Sequence, residues 1–305
     1  MFIADTHCDT LYARLFESWA EGDLMASKEN LLKGGVTIQT FALFAGARRF
    51  KNTPYQNVRM MIEESRKMDI PFITGKLPDN PPETLFGVYS IEGGEALEGK
   101  IERLYELDEE LRLRMISLTW NYVNQIGMPA KLDDGSGLTA FGLELLKEMD
   151  ALGVYADVSH LNERGFWDVY EHMALPPIAS HSNCKSLCSS FRNLTDSQID
   201  AIIEKNGYIG VNFYPHFLKD GGEDTTVDDV IRHIDYIAER GGVHVIGLGS
   251  DFDGIEVQPK GLENASRMSS IADALKKHGY SDEDTSGIMG MNLWNLLKKG
   301  DEARK

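Results

Sequence analysis

Short runs of apolar, β-branched and aromatic residues recur eight times along the chain, at 2–5, 36–44, 86–91, 115–120, 154–158, 177–180, 208–213 and 244–249. Most are continuous and do not alternate with polar residues, the pattern of parallel strands covered on both faces. The stretches between them carry helical periodicity. Residues 142–153 place apolar side chains at three- and four-residue spacing and stop at Gly153. Thr195-Asp196-Ser197-Gln198 is a capping-box pattern that opens a helix running to Asn206-Gly207. Residues 226–240, ended by Gly241-Gly242, predict another helix, and residues 281–299, closed by Gly300, predict the last. Eight strands alternating with helices over 305 residues predict a (β/α)8 TIM barrel, a single domain over 1–305. A doubly wound open sheet is the alternative. It would want a Gly-x-Gly-x-x-Gly turn after its first strand, where Thr6-His7-Cys8-Asp9 stands instead.

Charge narrows the partners. Acidic residues number 48 against 31 basic ones, a formal net charge of −17. No sequence-wide excess of Lys and Arg exists to neutralise phosphates, which argues against nucleic acid or an anionic membrane surface. The longest stretch free of charged residues, 115–130, holds Asn121, Asn124, Gln125 and Pro129 and falls short of a bilayer span. The first residues show no basic n-region and no long apolar core, so no secretory signal is expected. Three cysteines, Cys8, Cys184 and Cys188, make a disulfide framework unlike this chain and a reducing cytoplasm the expected compartment.

The metal-capable side chains fall at the ends of the apolar runs. His7 and Asp9 end the first, Glu92 the third, His160 the fifth, His181 the sixth, and Asp251 with Asp253 the eighth. In a parallel barrel these ends open on one face, where barrel active sites are built. Three histidines and several carboxylates in one cleft make a ligand set suited to Zn²⁺ or a similar divalent ion. His7 and Asp9, two apart on an extended strand, leave it on the same side, and Cys8 between them is expected in the core. His172, His216, His233, His244 and His278 fall on helices, loops or a strand start and are expected mostly at the surface. The segment from Gly247 to Gly254 is glycine-rich, yet neither a phosphate loop nor a calcium loop fits it. Asp251 is its candidate functional residue, and Asp253 is expected to serve a turn or cap. With no Gly-x-Ser-x-Gly elbow and no cysteine in a nucleophile context, metal-activated water is the expected nucleophile.

Asp5-Thr6-His7-Cys8-Asp9-Thr10, Ile91-Glu92-Gly93-Gly94-Glu95, Asp157-Val158-Ser159-His160, Ser180-His181-Ser182, Phe191-Arg192-Asn193 and Gly249-Ser250-Asp251-Phe252-Asp253-Gly254 resemble the membrane (renal) dipeptidases, metallopeptidase family M19, of the amidohydrolase superfamily. The resemblance implies two zinc ions, one on His7 and Asp9, the second on His160 and His181, with Glu92 bridging them. It implies a bridging hydroxide as the nucleophile, Asp251 as proton shuttle and Arg192 as partner of the dipeptide's carboxylate, so that Asp251 and Glu92 are the expected catalytic residues. It also implies a homodimer that cleaves L-Xaa-L-Xaa and L-Xaa-D-Xaa dipeptides. Two features depart from the eukaryotic relatives. Trp120 follows Leu118-Thr119 where they carry a substrate-binding histidine, which makes Trp120 a candidate substrate contact here. Their secretion signal and lipid-anchor tail are not expected in this chain. Two other readings remain open at this point, an amidohydrolase acting on N-acyl or D-amino acid amides and a non-catalytic metal-binding barrel.

Overall fold

The computed structural model describes residues 1–17, 19–46 and 52–304. Each expected run overlaps a strand: β1 (Ala4–Cys8), β2 (Ile38–Phe44), β3 (Phe86–Glu92), β4 (Met115–Ser117), β5 (Tyr155–Asp157), β6 (Ile178–Ala179), β7 (Tyr208–Val211) and β8 (Ile246–Leu248). They pair in sequence order, all parallel, and β1 closes on β8 through Asp5 and Leu248, so the sheet is a closed barrel. Every residue of β2 is buried, as the continuous apolar run requires of a strand with side chains inside the barrel and helices outside.

Helices α1 (Lys28–Lys33), α2 (Pro54–Ser65), α3 (Ile101–Leu111), α4 (Ala140–Ala151), α5 (Glu163–His172), α6 (Asp196–Glu204), α7 (Val227–Glu239) and α8 (Asn292–Ala303) follow the strands in turn. The capping box at the start of α6 is formed: the Thr195 hydroxyl accepts the Gln198 N–H at 3.3 Å, and the Gln198 side chain accepts the Thr195 N–H at 2.9 Å. α7 buries Val230, Ile231, Ile234 and Ile237, one stripe of an amphipathic helix. No helix among the described residues is long and apolar enough to cross a membrane.

Two expectations are corrected. The first run, expected at 2–5, is a strand over Ala4–Cys8 that takes in polar Thr6 and His7. Their neighbour Asp5 accepts the Ser250 N–H at 2.8 Å and the Gln39 amide at 2.9 Å, while the Thr6 hydroxyl reaches the carbonyls of Ser180 and Leu248 at 2.6 and 2.7 Å. Paired polar groups of this kind sit inside a barrel at little cost. The last helix, expected unbroken over 281–299, is instead a turn at Asp282–Ser286, a wider turn at Gly287–Met291 and then α8. The Asn292 amide donates to the carbonyls of Val243 and Ile246, both at 2.8 Å, and fixes that break. Gly300 does not stop the helix. A Cβ there would stand 2.8 Å from the Tyr155 ring and 2.9 Å from the Gly153 carbonyl, so glycine lets α8 lie close against β5.

Candidate metal centre and substrate cleft

All eight strands deliver a side chain to the cleft at their C-terminal ends or just beyond: His7 and Asp9 from β1, Phe44 from β2, Glu92 from β3, Trp120 from β4, His160 from β5, His181 from β6, Asn212 from β7 and Asp251 from β8. The sequence-predicted ligands are therefore brought together. Glu92 stands at their centre with its carboxylate divided. One oxygen lies 3.6 Å from His7 Nε2; the other lies 3.1 Å from His160 Nε2 and 3.8 Å from His181 Nε2. His7 Nε2 is also 3.4 Å from Asp9 and 3.8 Å from Asp251 Oδ1. Two atoms each bound about 2.1 Å from one ion at the tetrahedral angle stand roughly 3.4 Å apart, the middle of this spread.

The donor bookkeeping calls for a cation. The Ser180 hydroxyl donates to Asp157 at 2.6 Å, so at His181 Nδ1, 2.7 Å away, it accepts. His160 Nδ1 faces Asn121 Oδ1, the side-chain amide oxygen, at 3.2 Å, and that oxygen also only accepts. Both rings thus spend their proton on Nδ1 and bare lone pairs on Nε2, and those two nitrogens stand 3.0 Å apart. The buried atoms His7 Nε2 and Asp9 Oδ1 have no hydrogen-bond partner. A dication fits all four observations.

Charge points the same way. Burial pushes the Glu92 carboxyl up to about 8, with Asp9 adding to the rise and His7 opposing it. Burial likewise raises Asp251, with His7 and the Asn212 amide opposing. His7 is held well above the usual histidine range: burial would lower it, but Glu92 and Asp9 outweigh that. Burial, with Arg192 nearby, holds His160 and His181 well below that range, in the neutral form that ligates metals. Buried negative charge in excess of its protein partners is what a divalent ion neutralises.

Asp251 is set from behind. The Asn212 amide donates to its Oδ2 at 2.9 Å, and Asn212 Oδ1 is itself taken by the Tyr214 N–H at 2.6 Å. Oδ1 of Asp251 is left facing His7. Both His160 and Asp251 have left-handed backbone, φ 69° and 64°, a conformation that costs a non-glycine residue roughly 1 kcal/mol or more and recurs at functional positions. Asp253 acts as the expected turn residue: it accepts from the Thr10 hydroxyl and the Met25 N–H, both at 2.6 Å, and ties the loop after β8 to the one after β1.

Arg192, 4% exposed, donates to the His181 carbonyl at 3.2 Å and lies 5.5 Å over the Phe217 ring. Its Nε has no partner, and burial pushes it down to about 10 against the pull of Asp251 and Glu92. A buried guanidinium with a free donor suits an anion. Trp120 lines the cleft, with Phe44 edge-on at 4.9 Å and the His160 ring at 6.1 Å. The expectation that the other five histidines lie mostly at the surface holds, with one exception. His172, His216, His244 and His278 are exposed, but His233 is fully buried. Sequence reading gave no role to Asn121, Asp157, Ser180 or Asn212, although each stands at or just past a strand end, the position that singled out the candidate ligands.

Comparison with known proteins finds metallopeptidases of the same fold. The family model for membrane dipeptidase (peptidase family M19) matches residues 1–305. A solved metallopeptidase of Rhodobacter sphaeroides, liganded with a phosphinate mimic of L-Ala-D-Ala, superposes with a TM-score of 0.88 at 25% identity, covering 98% of this chain and 99% of that one. Dipeptidase tcpJ of Claviceps purpurea is 30% identical over 216 residues, 69% of this chain and 50% of that protein. An uncharacterized protein of Klebsiella pneumoniae, encoded in a pqqA 5′ region, is 38% identical over 195 residues, 61% of this chain and 72% of its own length. The match thus spans about half of the fungal relative and nearly three quarters of the bacterial one.

Proposed function

The chain belongs to the membrane dipeptidase family, peptidase family M19, and from that premise we propose that it is a dinuclear zinc dipeptidase cleaving L,L- and L,D-dipeptides. The observation that carries the reading is the divided Glu92 carboxylate, one oxygen toward His7 and the other toward His160 and His181. In this reading His7 and Asp9 hold one ion, His160 and His181 the other, and Glu92 serves both. Bound there, the ions would supply Lewis acidity and an activated water.

The chain's own residues do the rest. Arg192 pairs with the substrate's terminal carboxylate and fixes the direction in which the dipeptide lies. Asp251 Oδ1 accepts a proton from the attacking water and returns it to the amine nitrogen as the C–N bond breaks. Asn212 keeps the other oxygen of Asp251 occupied. His181, Ser180 and Asp157 form a relay that keeps His181 Nε2 free to ligate. The mimic held by the Rhodobacter relative supports an L,D-dipeptide as one substrate class. A homodimer in the cytoplasm completes the reading and rests on the family resemblance and the cysteine usage.

The test is metal content measured together with turnover on L,L-, L,D- and D,D-dipeptides and on N-acyl amino acids. We expect two zinc ions per chain and hydrolysis of substrates with a free amino group. Preferential cleavage of N-acyl amino acids would make the protein an amidohydrolase of another specificity, and metal without turnover would make it a binding barrel.

A further inference from the structure

The cleft is about 590 Å³, and beside the candidate metal ligands and several charged side chains its lining carries six aromatic rings. Its rings fall into two groups. Phe217 lies beneath Arg192, with Tyr214 edge-on to Phe217 at 4.9 Å. Across the floor, Tyr12 meets Phe44 edge-on at 5.1 Å and Phe44 meets Trp120 edge-on at 4.9 Å, a continuous row that ends beside His160. Phe44 is 8% exposed and held on both sides by its neighbours, so the row is a fixed wall. Trp19 and Ile255 also line the cleft.

The arrangement orients a dipeptide. Arg192 donates to the His181 carbonyl, so a carboxylate paired with it sits on the His160–His181 side of the floor. With the scissile carbonyl over Glu92, the N-terminal residue must extend toward Asp9. Tyr12 stands three positions beyond Asp9, and with Phe44 it forms the part of the row farther from His160. The N-terminal side chain therefore meets rings, not solvent.

We propose that the Tyr12–Phe44–Trp120 wall selects dipeptides whose N-terminal residue carries a large apolar or aromatic side chain. The proposal rests on the dipeptidase reading and adds to it the class of substrate. A flat, preformed apolar wall rewards each methylene placed against it and gives nothing to glycine.

The test is kcat/KM of the zinc-loaded protein on two series, Xaa-Ala with Xaa as Gly, Ala, Leu, Phe, Lys or Asp, and Ala-Xaa with the same residues. The expected result is a rise of about thirtyfold or more from Gly-Ala to Phe-Ala, with Leu-Ala between and a shallower slope in the second series. Phe44→Ala should narrow the Phe-Ala to Gly-Ala ratio by about tenfold, and Phe44→Leu should restore part of it. A loss of general structural origin would scale both substrates together and leave the ratio unchanged. A flat first series, a steeper second series, or a preference for Lys-Ala arising from the rim carboxylates Glu17 and Glu256 would each overturn the proposal while leaving the dipeptidase reading intact. Failure to cleave any dipeptide would overturn both.

Discussion

Asp251 is the residue whose two oxygens face different worlds: Oδ2 accepts from the Asn212 amide at 2.9 Å, and Oδ1 looks toward His7. A proton shuttle acts mainly in the transition state. Asp251→Asn should therefore lower kcat by roughly a hundredfold or more with little change in KM. Full recovery of activity once metal is restored would make Asp251 a ligand instead. Arg192 is buried with an unpartnered Nε, and losing a charge-assisted bond at such a site costs roughly 1.5–3 kcal/mol. Arg192→Ala should therefore lower kcat/KM for a free dipeptide by roughly tenfold to a hundredfold. Its C-terminal amide should suffer much less, and an unchanged acid-to-amide ratio would assign the carboxylate to another group. The metal-capable residues were legible because His, Asp and Glu at the ends of apolar runs are conspicuous. Asn212 and Ser180 were not, because amides and hydroxyls at strand ends are common, and only geometry shows that the first holds Asp251 and the second His181.

At the scale of elements, strands announced themselves through continuous apolar runs, while boundaries failed where polar groups find partners inside the barrel. Thr6 is buried by two carbonyls far away in sequence, and Gly300 is a packing residue against Tyr155; neither relation has a local signature. His233 is the same kind of case. It lies on α7 and reads as a surface residue, yet its Nδ1 accepts the Cys184 N–H at 3.1 Å and its Nε2 donates to the Leu218 carbonyl at 2.9 Å. It thereby locks α7 to the segment that leads from β6 to Arg192. Burial pushes His233 down to about 4, against the pull of the Leu218 carbonyl. In the folded chain it stays neutral where an unfolded histidine, titrating near 6.5, takes up a proton. Unfolding therefore binds an extra proton between these values, and the stability His233 contributes is full above about pH 6.5 and lost as pH falls toward 4. The loss approaches about 3 kcal/mol at the acid end. Denaturant unfolding at pH 7 and pH 5 should show a smaller acid penalty in His233→Gln than in the parent chain. Equal penalties in the two proteins would show that this histidine is not the group responsible.

For the whole molecule, the barrel's two ends are held by opposite means. Near the start of β4, Asp301 of α8 accepts from Arg112 at 2.9 Å and Arg114 at 2.8 Å, a network in which the protein supplies both signs of charge. At the C-terminal end Asp9, Glu92 and Asp251 crowd around three histidines, in a chain that already carries a formal net charge of −17. The proposed ligands come from β1, β3 and the segments after β5 and β6, so ions held there would tie the barrel across its diameter and not merely decorate one loop. A ligand that binds only the folded state stabilises it by mass action, roughly 4 kcal/mol at a thousand times its dissociation constant. In a chain of this size that corresponds to a shift in Tm of roughly 5–10 °C. Removing metal with a chelator should therefore lower the Tm of the entire cooperative transition by that amount and abolish hydrolysis, and readding zinc should restore both. Glu92→Gln, which removes the charge between the two histidine groups, should show a smaller zinc-dependent shift because it holds metal less tightly. If the chelated protein lost activity reversibly while its Tm stayed unchanged, the ions would act in the chemistry alone, and the barrel's acidic end would owe its stability to some other set of contacts.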